Sequence, residues 1–148
     1  MAREYNKKRK PVDAVALASA EMGNKPPYAP EVEEAVIGAM MVESECVNMA
    51  VEALTEKGFF DPKMRLIFRA ISSLYHGRSA VDITTVSERL REDRALDEVG
   101  GAVKLASLTA SVGSASNVEY YIKILQQKTI QRGLEGRLKL FFETAVYH

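Results

Sequence analysis

The chain has 148 residues, of which 47 % are hydrophobic and 27 % charged, and its 20 Lys and Arg balance 20 Asp and Glu. This composition is typical of a soluble protein with one domain, or with a smaller domain and an extension, and no apolar run is long enough to span a membrane. The single cysteine excludes an internal disulfide framework, and we find no secretory signal, so a reducing cytoplasm is the expected location.

The charges are distributed unevenly along the chain. Residues 31–100 contain eight Lys and Arg against fourteen acids, whereas residues 1–30 and residues 101–148 each contain six Lys and Arg against three acids. Binding to phosphates is driven mainly by Lys and Arg that release counterions. The acidic centre therefore argues against nucleic acid as the ligand of the folded part.

The first 25 residues are predicted to form a mobile basic arm. They contain the run Lys7-Lys8-Arg9-Lys10 and then an Ala-rich stretch. The basic run is compatible with a contact to nucleic acid, but a solvated tail is the favoured interpretation. We therefore assign the arm no function.

A helix that begins at Pro30 is predicted to be the spine of a helical bundle. Proline suits the first turn of a helix, and Glu31, Glu33 and Glu34 place negative charge near the positive end of the helix dipole. Apolar side chains follow at helical spacing on nearly every side, which predicts that other helices enclose this one.

Two more helices are predicted between the spine and residue 77. Ser44 is expected to cap the first of them, which would end near Gly58. Asp61 and Pro62 give a cap followed by proline in the first turn, and they predict a helix that ends at His76. The two phenylalanines just before Asp61 are expected to be buried.

The remaining short helices complete a head that we assign to residues 26–115. Asp82 is expected to cap a fourth helix, and Gly100 and Gly101 turn the chain into a weaker fifth. No segment has a strand pattern. The core of the head is expected to contain Val32, Val36, Met40, Val51, Leu54, Phe60, Leu66, Ile67, Ile71, Ile83, Val86 and Leu90.

A long helix is predicted over residues 116–148. Ser116 and Glu119 have the spacing of a capping box. A helix from there to Val146 would be about 45 Å long, whereas a head of roughly 85 residues is near 30 Å across. About a third of the helix should overhang.

The overhanging segment carries apolar side chains that need a cover. Each is worth about 1.5–3 kcal/mol when buried, so we expect a second copy of the chain or a following helix to pack on them. Gly133 and Gly136 either allow a close helix approach or break the helix near Arg132. The expected interface residues are Leu134, Leu138, Phe141, Phe142 and Ala145.

The sequence contains no recognisable constellation for catalysis. The nucleotide-binding motif G-x-x-x-x-G-K-[ST] is missing. His76 and His148 have no other metal ligands at useful spacing, and Cys46 has no histidine partner that would activate its thiol. Glu33 and Glu34 are adjacent, so their side chains point in different directions around a helix and cannot act as a paired acid and base. We therefore predict no catalytic, cofactor or metal site in this chain.

Five segments, in their order along the chain, resemble the N-terminal domain of the bacterial replicative DNA helicase of the DnaB type. No single segment is diagnostic, but together they cover about residues 26–132, whereas residues 133–148 match least clearly. The segments are Pro-Pro-Tyr-Ala-Pro-Glu-Val-Glu-Glu-Ala-Val-Ile-Gly (26–38), Phe-Phe-Asp-Pro-Lys-Met-Arg-Leu-Ile-Phe (59–68), Val-Asp-Ile-Thr-Thr-Val (81–86), Glu-Val-Gly-Gly (98–101) and Ser-Ala-Ser-Asn-Val-Glu-Tyr-Tyr (114–121).

The resemblance implies a role in DNA replication inside bacterial cells. Full-length members of the family continue into a second hairpin arm, a linker and a RecA-like motor that uses ATP and Mg to unwind DNA as a hexamer. Their N-terminal domains pair through helical hairpins into a collar, a trimer of dimers, which docks primase and helps to position loading factors. DNA is expected to bind mainly through the motor, which this sequence does not contain.

The main hypothesis is an all-α, non-catalytic domain that associates with itself and binds primase. It would consist of a compact head of about five short helices and a long C-terminal helix, the first arm of a helical hairpin. The alternative is a small helical DNA-binding module, which the acidic centre disfavours. A third hypothesis is an enzyme with a site in the bundle core. Such a site needs buried polar or titratable groups on facing helices, whereas the predicted inward positions are almost all apolar.

Overall fold

The computed structural model describes residues 28–112 and 117–147, with side chains described as far as residue 144. Within these ranges all regular structure is helical, which confirms the predicted all-α class. The basic arm, Ser116 and the side chain of Ala145 lie outside the described residues. The helices are α1 (Pro30–Val42), α2 (Ser44–Ala53), the 3₁₀ helix η1 (Glu56–Gly58), α3 (Pro62–His76), α4 (Ile83–Glu92), α5 (Leu96–Val99), α6 (Gly101–Ala110) and α7 (Val118–Tyr147).

The described chain divides into two units. One comprises Ala29–Ile130 and thus includes α1 to α6 and the first turns of α7. The other contains, among the described residues, Tyr28 and the part of α7 from residue 131 onward. We refer to the first unit as the head and to residues 131–147 as the distal part of α7.

Helix α1 is the spine of the head, as the sequence predicts. It packs against α2, α3 and α6, and all six residues from Val36 to Met41 are buried. Gly38 lies where α1 crosses α6, and a Cβ atom added there would collide with the carbonyl oxygen of Leu108. Glycine is therefore required at this crossing because the two helix backbones approach closely.

Glu33 is buried in the head, with only 1 % of its surface exposed. Its carboxylate accepts hydrogen bonds from the backbone N–H of Phe60 at 2.7 Å and of Asp61 at 3.2 Å. Glu33 lies in the first turn of α1, as predicted, but its burial and its contact with this distant turn were not predicted. Position 33 lies one helical turn before the buried Val36 and Ile37, so its side chain faces the core.

The turn that Glu33 holds is secured by other groups as well. Phe59 is fully buried and its ring contacts that of Phe68, with centroids 4.9 Å apart. The carbonyl oxygen of Phe59 accepts a hydrogen bond from Nε of Arg65 at 2.6 Å. Asp61 then caps α3 by accepting from the backbone N–H of Lys63, which confirms the predicted helix start.

Helix α2 departs from prediction at both ends. Glu43 occupies the N-cap position without a side-chain hydrogen bond, so Ser44 is the first helical residue and not the cap. The helix ends at Ala53 because Leu54 adopts an extended backbone conformation that buries its side chain. The predicted stop near Gly58 is instead the end of the separate helix η1.

Asp82 caps α4 in a reciprocal capping box with Thr85, which confirms the predicted start. Two arginines, Arg78 and Arg94, adopt positive φ angles of 61° and 58° just after the ends of α3 and α4. Each follows its helix in the left-handed conformation that closes a Schellman-type end, a position where glycine is usual. The backbone N–H of Ala95 completes the second of these ends by bonding to Leu90 O at 2.8 Å.

The short helix α5 was not predicted. It is a single turn that ends at Gly100, whose φ of 109° directs the chain into α6. Leu105 and Leu108 of α6 are buried as expected, and Val112 is partly buried against the core.

The residues proposed for the core of the head fall into three groups. Phe60 is half-buried and outside the core cluster, because the extended backbone at Phe59 turns these neighbouring side chains to opposite sides. Partly buried residues that pack against the cluster are Val32, Val51, Leu66 and Ile83. The buried ones are Val36, Met40, Leu54, Ile67, Ile71, Val86 and Leu90.

Helix α7 is continuous for 30 residues and passes through Gly133 and Gly136 without a break. The break near Arg132, one of the two alternatives predicted for these glycines, therefore does not occur. Val118, Ile122 and Leu125 are buried in the head and anchor the first two turns.

We expect Glu33→Gln to lower the free energy of unfolding by about 1–3 kcal/mol, because an amide offers one acceptor oxygen where the carboxylate offers two, and a buried N–H loses its partner. Glu34→Gln is the matched control, since it only removes an ion pair with Lys104 at 3.2 Å; such pairs contribute less than about 1 kcal/mol. Urea denaturation followed by circular dichroism measures both. Equal losses would contradict the role assigned to Glu33.

Arg94→Gly is expected to stabilise the protein by about 1 kcal/mol, because glycine adopts the left-handed conformation without a steric cost. Arg91→Gly, three residues earlier and inside α4, is expected to destabilise it by about 1 kcal/mol. Melting temperatures of the two variants should therefore move in opposite directions. A decrease for both would show that the Arg94 side chain stabilises the fold more than its backbone conformation costs.

Candidate interaction surface

The distal part of α7 carries large apolar side chains on its surface. Their exposed fractions are 50 % for Leu134, 55 % for Leu138, 66 % for Phe141 and 61 % for Phe142. We call these four residues the distal apolar face. They include all of the proposed interface residues whose side chains the structure describes.

The apolar residues of α7 change sides along the helix. At 100° per residue, Leu134, Leu138 and Phe141 lie about 160° around the axis from the buried group Val118, Ile122 and Leu125. These three residues therefore do not continue the side that anchors α7 in the head, whereas the exposed Leu140 does. They form a separate surface on the nearly opposite side of the same helix.

Gly133 and Gly136 lie on the other side of the distal part. A Cβ atom added to Gly133 would come no nearer than 3.8 Å to the guanidinium of Arg137, and one added to Gly136 would meet nothing within 4 Å. No contact among the described residues therefore requires glycine at either position. Each glycine costs about 1 kcal/mol relative to alanine inside a helix.

The head contains an open apolar groove of about 370 Å³, which we call the head groove. Gln126 donates a hydrogen bond to the carbonyl oxygen of Ala53 at 3.1 Å, which joins α7 to the end of α2 at the groove. Ile130, at the end of the groove on α7, is 63 % exposed. The lining residues are Ala53, Leu54, Thr55, Gly58, Gln126, Thr129 and Ile130.

The sequence did not predict this groove. Its two sides are about 70 residues apart along the chain, so no local pattern brings them together. Ile130 could have been noticed, because it precedes Leu134 by one helical turn and is just as apolar.

The charges around these surfaces differ in sign. Helix α2, one wall of the groove, contains Glu45 and Glu52 but no Lys or Arg. Glu56 of η1, next to Thr55 of the groove lining, forms a two-point ion pair with Arg69, with distances of 2.8 and 3.0 Å. The hydrogen bond from Arg69 is the main cause that lowers the pKa of Glu56. On α7, the exposed Arg137 lies one turn before Phe141.

Cys46 lacks the surroundings of a reactive thiol. It is buried, and this burial raises its pKa, with a further increase from the charges of Glu43 and Glu45. A raised pKa disfavours the thiolate that nucleophilic attack requires. Among the residues that the structure describes, no group of three or more His, Cys, Asp or Glu side chains could hold a metal ion. No helix in the described part of the chain is both long and apolar enough to cross a membrane.

Comparison with known proteins identifies the family. The family model described as the DnaB-like helicase N-terminal domain matches residues 25–127. The replicative DNA helicase DnaB of Rhodothermus marinus is 42 % identical over 115 residues, or 78 % of this chain and 12 % of that protein. DnaB of Treponema pallidum is 39 % identical over 112 residues, or 76 % of this chain and 26 % of the relative.

The chain thus matches about a quarter or less of the length of these relatives. A solved structure agrees with the fold. The crystal structure of the N-terminal domain of DnaB helicase from Mycobacterium tuberculosis has a TM-score of 0.79 and 27 % identity, and the match covers 82 % of this chain and 88 % of that one. The chain belongs to the family of DnaB-like helicase N-terminal domains, which form the N-terminal part of bacterial replicative DNA helicases.

Proposed function

We propose that this chain is a non-catalytic assembly domain of a replicative helicase, and that it associates with itself through the distal apolar face. The observation that carries the proposal is the exposure of five large apolar side chains, the distal apolar face and Leu140, between 50 % and 66 % each, within nine residues of one helix. Scattered exposed apolar residues are normal, but a contiguous group is typical of an interaction site.

Energy considerations favour a helical partner. Burying a Leu or Phe side chain is worth about 1.5–3 kcal/mol relative to leaving it exposed. Leu134, Leu138 and Phe141 recur at intervals of four and three residues, the spacing with which one helix packs along another. A second copy of the chain supplies the same pattern without any other protein.

The glycines support close packing on the other side of the same segment. The open space beside Gly133 and Gly136 lets a neighbouring helix approach the backbone of α7. Two different sides of the distal part are thus available, one for large side chains and one for a closely packed helix. This is compatible with the hairpin pairing and the dimer and hexamer collar that the family resemblance implies.

The second part of the proposal is that the domain binds primase during DNA replication in the bacterial cytoplasm. It is supported by membership of the replicative helicase family. The buried core of the head contains none of the residues of the distal apolar face, so the head surface does not depend on that face. ATP-driven unwinding, with Mg as cofactor, and most DNA binding are proposed for the motor of the full-length protein. A contact with a loading factor is proposed on the same family basis.

Nothing in the described head favours the alternative of a DNA-binding module. Helix α2 exposes Glu45 and Glu52 without a basic side chain, and Arg89 and Arg91 of α4 are paired with acidic neighbours. Such a surface gives little of the counterion release that drives binding to nucleic acid.

We expect the double variant Leu138→Asp with Phe142→Asp to remain folded and to lose self-association, because it places charges where apolar contacts would form. Val103→Asp is the matched control, since Val103 on α6 is 82 % exposed but lies in the head. Light scattering over a range of concentrations gives the oligomeric mass. A wild-type chain that is monomeric at every concentration would refute self-association.

Primase binding is tested by calorimetric titration of the chain with primase from the same bacterium. Binding to the wild-type chain is expected, as is retained binding to the Leu138→Asp, Phe142→Asp variant if the head carries the contact. Loss of binding in this variant would place the primase contact on the distal face or make it depend on assembly. No binding to either protein would refute the primase part of the proposal for this domain.

A further inference from the structure

The distal part of α7 is a helix without buried side chains. From residue 131 to residue 144 every side chain is exposed or half-buried, whereas Val118 and Leu125, in the first turns of the same helix, are each only 1 % exposed. Most helices in proteins are stabilised by the packing of an apolar side rather than by helix propensity. Within one copy of the chain, the distal part lacks this contribution.

Two glycines lie near the start of the distal part. Gly133 and Gly136 each lower the equilibrium between helix and coil by about fivefold relative to alanine. No contact among the described residues requires glycine at either position. A helix that extends from the buried Leu125 must pass both glycines before it reaches Leu138 and Phe141.

The residues after Gly136 do not compensate for this loss by propensity alone. The helix continues for only 11 residues beyond Gly136, and five of these are aromatic or β-branched, which lose side-chain freedom in a helix. Even good helix formers favour extension by only about 1- to 1.6-fold per residue near 0 °C. Helix propensity is therefore too weak to keep this stretch helical by itself.

We propose that the folding of residues 133–147 is coupled to self-association. Burial of the distal apolar face against a second copy supplies the stabilisation that helix propensity lacks. The unbroken helix is then the conformation that a partner stabilises, and a free copy exchanges between this helix and forms that are frayed back to the glycines. This inference rests on the proposed self-association and adds a conformational step to it.

Coupled folding makes association depend on the stability of the distal helix. Ordering of the segment opposes association, so the affinity is lower than that of a preformed helix. It also links assembly to recognition, because a partner that binds the helical distal part binds assembled copies in preference to free ones. The two glycines determine how strong this link is.

Hydrogen exchange followed by mass spectrometry tests the coupling in the unaltered chain. The backbone amides of residues 133–147 are compared at protein concentrations below and above the dissociation constant of self-association. We expect their protection to rise by about tenfold or more on association. The amides around Ile122 and Leu125, which are buried in the head, should be equally protected at both concentrations.

A pair of variants at Lys139 provides a second test. Lys139 is exposed and belongs neither to the distal apolar face nor to the two glycines. Lys139→Gly and Lys139→Ala both remove the ammonium group, so they differ mainly in helix propensity. We expect the glycine variant to have a dissociation constant about fivefold or more weaker than the alanine variant in sedimentation equilibrium. Lys123→Gly and Lys123→Ala, at an exposed position of the anchored turns, are the matched control and should have equal dissociation constants.

The possible outcomes separate this inference from the proposed function. A chain that associates, but shows equal protection of residues 133–147 at both concentrations and equal dissociation constants for the two Lys139 variants, overturns the coupling and leaves the proposed function intact. A wild-type chain that stays monomeric at every concentration overturns both. Protection that rises only in residues 133–147, together with weaker association of Lys139→Gly, establishes the coupling.

Discussion

The fold of the head depends on one buried carboxylate. Moving a charged carboxylate out of water is costly unless hydrogen bonds compensate it. Glu33 meets this requirement with the backbone N–H groups of Phe60 and Asp61, which belong to a turn 27 and 28 residues further along the chain. The turn is thereby fixed against α1. Because Asp61 of the same turn caps α3, this interaction ties the start of α3 to the spine, against which α3 also packs.

Local sequence patterns predicted those helix ends whose causes are local. Asp61 and Asp82 bond to backbone groups two and three residues away, so a cap residue in the right place was sufficient. Ser44 shows the limit of such local patterns. Serine is also a typical capping residue, yet Ser44 begins α2 without capping it. The end of α2 at Ala53 is decided by burial of Leu54 in the core, which is a tertiary effect. The first-turn position of Glu33 was predicted for the same local reason, but its hydrogen bonds were not, because they reach backbone groups 27 and 28 residues away.

The candidate surface was predictable only where it lies on one helix. The spacing of Leu134, Leu138 and Phe141 is visible in the sequence, and so is the length of α7. The head groove was not, since it forms only when residues 53–58 and 126–130 are brought together by the fold. The continuity of α7 could not be settled from the sequence either. Two glycines weaken a helix by a total of about 2 kcal/mol, an amount that the other residues of a long helix can offset.

The change of apolar side along α7 separates the stability of the head from association. If the apolar residues had continued on the side of Val118, Ile122 and Leu125, any cover for the distal part would have extended the core of the head, and its loss would have weakened the same packing. On the nearly opposite side, the exposed residues share no neighbours with that buried group. Substitutions on the distal apolar face can therefore alter assembly while leaving the head core untouched, since side chains without common contacts act almost independently. In the proposed assembly, one continuous helix thus serves the head with one side and a partner with another.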